Sequence, residues 1–282
     1  MIARKTTVME PNQKPESSLK SEQTMFEKAI FDIQCQFGSQ ICKVFEKEEK
    51  SNFTSTGIKS LDEILGGGIP EGKIVEIFGN ESCGKTSIAL QTVSSYLKEG
   101  KRCVYIDLEH QLDAKYCKKF GVDISKLLLV EPNSAEECFQ IIESLCKTGI
   151  IDLIIVDSVA AMHPESQFDP KDESDELVGQ LARIMSKGLR ITQSIANKTS
   201  IVFINKIIEK PVLFGNPETT FGGRALKFYS SIRLELRKTQ LLKKGKEPIG
   251  MVITAKTVKN KLVPPLAKTN LNFYFEEGVS NV

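Results

Sequence analysis

The sequence predicts an α/β fold: a central, mostly parallel sheet flanked by helices, preceded by a small N-terminal helix-strand arm. Two observations carry this reading. Short apolar runs recur between residues 73 and 205, near-continuous rather than alternating, as strands buried on both faces require. Stretches of helical spacing separate them, the mark of a sheet covered on both sides. The size agrees: 282 residues, 40% hydrophobic and 26% charged, suit one large domain or one with a small appendage.

The elements follow in order. Residues 1–23 are polar, mix both charges and lack the apolar run of a secretory signal, so they read as a disordered tail. From Thr24, the residues Phe26, Ile30, Ile33 and Phe37 fall at helical spacing, Thr24 to Glu27 has the form of a capping box, and Gly38 ends the helix. A short strand at Ile41 to Phe45 completes an arm over residues 24–50, whose apolar face needs a partner. The core then spans 51–282. Strands are expected at Lys73 to Phe78, Arg102 to Asp107, Leu127 to Val130, Leu153 to Val156 and Ile201 to Asn205. Helices are expected at Lys85 to Lys98 and near 135–147 and 177–197, and the strand-rich stretch after Ile232 reads as an antiparallel extension.

Composition narrows the function. No apolar run is long enough to span a bilayer, which excludes a helical membrane protein. Seven cysteines without a C-x-x-C pair read as reduced thiols, so a cytoplasmic location is expected, with an organellar copy as the alternative. Two histidines give a zinc site or a Ser-His-Asp triad little to build on. The net charge of +2 conceals an uneven distribution: residues 224–268 hold twelve Lys or Arg against Glu235 and Glu247. A basic C-terminal third is compatible with a polyanionic partner.

Gly79-Asn80-Glu81-Ser82-Cys83-Gly84-Lys85-Thr86, continued by Ser87, satisfies G-x-x-x-x-G-K-[ST] between a strand and a helix. Such a loop surrounds phosphates with backbone N–H groups; Lys85 adds a positive charge near the β- and γ-phosphates, and Thr86 offers a hydroxyl to Mg²⁺. Leu153 to Asp157 is an apolar strand ending in an acid, which places Asp157 beside Thr86 as a second metal group. A third acid, Glu109, follows another strand end and is the candidate for activating water, with Lys85 as its catalytic companion.

Together these stretches resemble the bacterial RecA recombinase family. The match runs from about residue 24 to the end. It includes Ser55-Thr56-Gly57, Ile106 to Asp113, Val156 to Ala161, Phe203-Ile204-Asn205 and, most specifically, Phe214-Gly215-Asn216-Pro217-Glu218-Thr219-Thr220 through Gly222-Gly223 to Tyr229. The resemblance implies a RecA-type P-loop ATPase, with ATP and Mg²⁺ as cofactors. Such a protein forms a helical filament on single-stranded DNA, pairs it with double-stranded DNA and exchanges strands in recombinational repair and the SOS response. It assigns Asp113 and Tyr116 to adenine, and Lys259 and Lys261 to the nucleotide of a neighbouring subunit. It assigns DNA contacts to Arg183, Arg190, Phe214, Gly215, Asn216, Glu218, Thr219, Thr220, Gly222 and Gly223. Phe26, Ile30, Ile33, Lys227 and Phe228 are assigned to the subunit interface.

The chain also departs from the family. The first DNA loop, Glu165 to Glu176, carries six acids and one lysine. Lys206 stands where the family has a glutamine that couples ATP to DNA. The chain stops near the end of the family's core, so the usual C-terminal domain is expected to be lacking. These departures keep an alternative open: an ATP-dependent filament or regulatory protein that binds single-stranded DNA but exchanges strands poorly.

Overall fold

The computed structural model describes residues 16–38, 41–42, 51–166, 175–209 and 217–280, with backbone alone for 16–22 and 175–178. The chain divides into two units, Met1–Lys50 and Ser51–Val282. In the first, α1 spans Glu16–Phe37. The helix therefore starts eight residues ahead of the expected Thr24, and the tail expected to be disordered is helical from Glu16 onward. Its upstream residues, Glu16 to Gln23, contain no helix breaker, so Thr24 has nothing to terminate. Gly38 ends α1 at φ +100, as expected, its N–H donating to Gln34 O at 2.9 Å. The strand expected at Ile41 to Phe45 lies mostly outside the described residues.

The second unit runs β1 (Phe53–Thr54), α2 (Lys59–Leu65), β2 (Ile69–Pro70), β3 (Ile74–Gly79), α3 (Lys85–Lys98), β4 (Cys103–Asp107), α4 (Ala114–Lys119), β5 (Leu127–Val130), α5 (Ala135–Thr148) and β6 (Leu153–Asp157). It continues with α6 (Asp175–Ile195), β7 (Ser200–Glu209), β8 (Glu218–Thr220), α7 (Ala225–Tyr229), β9 (Ile232–Lys244), β10 (Glu247–Asn260), β11 (Lys268–Tyr274) and β12 (Gly278–Val279). The main sheet has the order β12-β11-β10-β9-β3-β7-β6-β4-β5, with β8 added to β7. From β9 to β5 the pairs are parallel; from β9 to β12 they are antiparallel.

Alternation along each parallel strand feeds two separate cores. Val75, Ile77, Cys103 and Tyr105 pack with Ile88, Leu90 and Val93 of α3 on one face. Ile74, Val104, Ile106, Ile154 and Phe203 pack with Phe139 and Ile142 of α5 and Met185 and Leu189 of α6 on the other. Both faces are buried, which is why these strands read as unbroken apolar runs. The parallel strands end on one edge, and β3, β4, β6 and β7 deliver their carboxyl ends there side by side. That is where open α/β sheets bind ligands.

Candidate functional site

β3 stops at Gly79 and α3 starts at Lys85, so the intervening loop lies over the end of the sheet. Gly84 begins the helix at φ +84, and a Cβ there would stand 2.8 Å from Ile253 Cδ1. Glycine is thus required both for the left-handed backbone and for the close approach. Lys85 turns back into the loop and donates to Gly79 O at 3.1 Å and Asn80 O at 2.6 Å. Cys83 is buried within the loop, and burial raises its thiol above the ordinary value.

One turn of helix brings Thr86 to Asp157: the Thr86 hydroxyl donates to Asp157 Oδ2 at 2.7 Å. Tyr105, two residues before the end of β4, donates its hydroxyl to the same oxygen at 2.7 Å. The register that pairs Asp107 with Asp157 makes this possible, since it sets β4 and β6 with their ends level. Burial raises the Asp157 carboxyl above its ordinary value, and its two hydroxyl donors offset only part of that rise. Burial, followed by the charge of Asp157, raises Tyr105 well above the ordinary phenol value, so it stays a donor.

Glu109 is presented by a turn that Asp107 organises. The Asp107 carboxylate, 3% exposed, accepts from Glu109 N at 3.0 Å, Gln111 N at 2.9 Å and Leu112 N at 2.8 Å. Ser158, the residue after Asp157, donates its hydroxyl to Glu109 Oε1 at 2.6 Å. Lys206 Nζ lies 3.2 Å from that same oxygen and 3.8 Å from Glu81 Oε1. A cavity of about 640 Å³ is lined by Glu81 to Ser87, Glu109, Tyr116, Asp157, Ser158 and Lys206. That volume is typical of a site for a small ligand.

The expected adenine pair divides. The Tyr116 ring lines the cavity, shares a 2.8 Å hydrogen bond with Ser87 Oγ and meets Phe120 edge-on at 4.9 Å. Asp113 is exposed and caps α4, accepting from Tyr116 N at 2.7 Å. Neither Lys259 nor Lys261 is among the residues that line the cavity at their own phosphate loop. Lys259 pairs in register with Arg233 near the start of β9, and Arg233 with Glu76, three residues before Gly79. Its ammonium donates to Lys227 O at 2.6 Å and Phe228 O at 3.0 Å, and burial, then Lys261, holds its pKa below the ordinary value.

Among the residues assigned to DNA, Arg183 and Arg190 are exposed on α6. Phe214, Gly215 and Asn216 lie outside the described residues. Glu218 is held by Arg237, the Thr219 hydroxyl accepts from Lys227 Nζ at 2.6 Å, and Thr220 is 4% exposed. Gly222 and Gly223 are packing positions: a Cβ on Gly222 would stand 2.9 Å from Val159 Cγ1, and one on Gly223 3.0 Å from Ala182 Cβ. Of the interface residues, Phe26 is 61%, Ile33 41% and Phe228 69% exposed, and Ile30 and Lys227 are half-buried.

Sequence reasoning passed over Asp107, Tyr105 and Ser158. Asp107 had a signal, because an acid two residues before a loop residue is the mark of an Asx turn. Tyr105 and Ser158 had none, since their roles depend on which strands are neighbours. Among the described residues no helix is long and apolar enough to cross a membrane.

A parallel sheet with a G-x-x-x-x-G-K-T loop after β3 and an acid closing β6 defines a P-loop ATPase. Residues 24–280 match the RecA N-terminal domain family. The chain is 50% identical over 236 residues to Protein RecA of Ureaplasma parvum serovar 3, covering 82% of this chain and 70% of that protein. It is 45% identical over 259 residues to Protein RecA of Wolinella succinogenes, covering 89% and 74%. With Protein RecA of Bacillus subtilis it shares 42% identity over 268 residues, covering 93% and 77%. The chain belongs to the RecA family, whose members are DNA-dependent ATPases and recombinases of DNA repair.

Proposed function

We propose that this chain forms a helical filament on single-stranded DNA, hydrolyses ATP with Mg²⁺ and exchanges strands with a homologous duplex. The observation that carries the reading is the cavity at the end of the sheet, where the phosphate loop, Asp157 and Glu109 converge and Lys206 leads along β7 toward the DNA-binding segment. Lys85 supplies positive charge to the phosphates. The Thr86 hydroxyl and the Asp157 carboxylate, 2.7 Å apart, are hard oxygen donors of the type Mg²⁺ accepts, and Tyr105 keeps the carboxylate oriented. When bound, Mg²⁺ neutralises charge on the β- and γ-phosphates. Glu109 takes the proton of the attacking water, with the Ser158 hydroxyl holding its Oε1 at 2.6 Å. The exposed apolar side chains of α1, Phe26, Phe31, Ile33 and Phe37, are the surface for a neighbouring subunit. A head-to-tail contact that does not close generates a filament.

The test is ATP hydrolysis by the purified chain with and without single-stranded DNA. A several-fold stimulation that vanishes in Lys85→Ala is expected; equal rates with and without DNA refute the reading. A second reading, a DNA-bound filament with little strand exchange, is favoured by the acidic stretch Glu165 to Glu176, which repels phosphates. It predicts DNA binding without exchanged product when both are measured on the same preparation.

A further inference from the structure

Strand β9 runs past the phosphate loop and carries a lysine alongside it. β3 and β9 are parallel, and their register ends with Gly79 opposite Leu236. The two backbones are close there, since a Cβ on Gly79 would collide with Leu236 O. β3 then turns into the loop while β9 continues to Lys244. Leu234 and Leu236 belong to the core under α3, so the next residue on that face of β9 is Lys238, which is exposed. At about 3.3 Å per residue it stands roughly 7 Å beyond the end of β3. Its partner in register on β10 is Ile253, whose Cδ1 would lie 2.8 Å from a Cβ on Gly84. Lys238 is thus carried by strands that meet the loop at its first glycine and at its last, and it lines the cavity.

We propose that Lys238 is a nucleotide ligand, a second cation that reaches the phosphates from the β9 side of the loop while Lys85 reaches them from within it. The proposal rests on the reading of this cavity as the nucleotide site. Three lysines line the cavity, and two of them are engaged: Lys85 donates to Gly79 O and Asn80 O, and Lys206 stands 3.2 Å from Glu109 Oε1. Lys238 has no hydrogen bond or ion pair among the described residues. The acids of the same wall have other work, Asp157 toward the metal and Glu109 toward water, so the phosphate charge falls to the lysines. A loop of this kind wraps the α- and β-phosphates, which ATP and ADP share. A lysine set between its first and last glycines meets those groups and not the terminal one. Its contribution is therefore the same for both nucleotides, and its charge, more than its shape, is what the phosphates recognise.

The test compares the parent with Lys238→Gln, Lys238→Arg, Lys238→Glu and Lys85→Ala. It measures equilibrium binding of ADP and of a non-hydrolysable ATP analogue in Mg²⁺ buffer without DNA, and kcat and KM for ATP with single-stranded DNA. Lys238→Gln weakens both nucleotides about threefold to tenfold and raises KM by a similar factor, with the loss confined to KM because ground and transition states lose the contact equally. Lys238→Arg, which keeps the charge, binds as the parent does, and Lys238→Glu binds more weakly than Lys238→Gln. Unchanged affinity for both nucleotides in Lys238→Gln overturns the proposal, as does a loss for the ATP analogue alone or an equal effect of Gln and Glu. Weaker binding of single- or double-stranded DNA at unchanged nucleotide affinity assigns the lysine to DNA and overturns it too. Lys85→Ala reads the underlying assignment separately: undiminished nucleotide binding in that variant removes the site itself, whatever the Lys238 variants show.

Discussion

Arg237 on β9 grips Glu218 on β8 with both arms of its guanidinium. Nη1 donates to Glu218 Oε1 at 2.9 Å and Nη2 to Oε2, while Nε and Nη2 also reach Glu235 Oε1 at 2.8 and 2.6 Å. The contact ties β8 to the main sheet, and it lowers the Glu218 pKa below its ordinary value of 4.5. A carboxylate whose folded-state pKa is depressed contributes stability above its unfolded value and loses it as pH falls through the folded one. The side chains of Arg237 and Glu218 are 34% and 29% exposed, so solvent screening limits the effect to about 1 kcal/mol. Arg237→Gln should therefore unfold about 1 kcal/mol more easily than the parent in urea at neutral pH, with the gap closing as pH falls below 4.5. A gap that is the same at both pH values would show that the ion pair is not its source.

Tyr105 makes a similar case inside the core. Its hydroxyl donates at 2.7 Å to the same Asp157 oxygen that Thr86 uses, and its ring is 1% exposed. Tyr105→Phe keeps the ring packing and removes one of two donors to a buried acid, which costs about 1–3 kcal/mol by the usual penalty for an unmade bond to a charged group. Urea denaturation of the unliganded protein checks this. A loss below a few tenths of a kcal/mol would mean that Thr86 alone satisfies Asp157.

Gly222, which the resemblance assigns to DNA, tests whether a glycine so assigned serves packing. Its φ is +79, and a Cβ there would stand 2.9 Å from Val159 Cγ1 and 3.2 Å from Met185 Cε. Gly222→Ala should cost about 1–3 kcal/mol, from the left-handed backbone and the displaced Val159 together. Loss of DNA binding at unchanged stability would reverse that assignment.

The parts of the fold visible in the sequence are those set by neighbours along the chain. The phosphate loop and α3 were legible residue by residue, because loop, glycine and helix start are all local. β5 was legible too, since Leu127 to Val130 is an apolar run between breakers. The start of α1 was misplaced, because Thr24 has the form of a cap but the residues before it also favour a helix. α2 and α4, seven and six residues long, are too short to show a period. β7 was cut at Asn205 because Lys206 breaks the apolar run, although the strand continues to Glu209 by pairing with β8. In the site, Lys85, Thr86, Asp157 and Glu109 were named from motifs. Their partners Tyr105, Ser158 and Asp107 come from strands and turns whose juxtaposition only the folded sheet defines.

Asp107 offers the sharpest test of that last point. It is not itself part of the cavity lining or of the phosphate loop, yet its carboxylate accepts from three backbone N–H groups and so sets where Glu109 points. In Asp107→Asn one acceptor oxygen becomes an NH₂ donor that faces backbone N–H groups, and the turn must loosen. A base moved by about 1 Å loses up to about a hundredfold in rate, so the DNA-stimulated kcat should fall about 10-fold to 100-fold. KM for ATP should change little, because Lys85 and Thr86 are held by other contacts. Steady-state hydrolysis over a range of ATP concentrations separates the two constants, and a rise in KM at unchanged kcat would place Asp107 in nucleotide binding instead of in the positioning of Glu109.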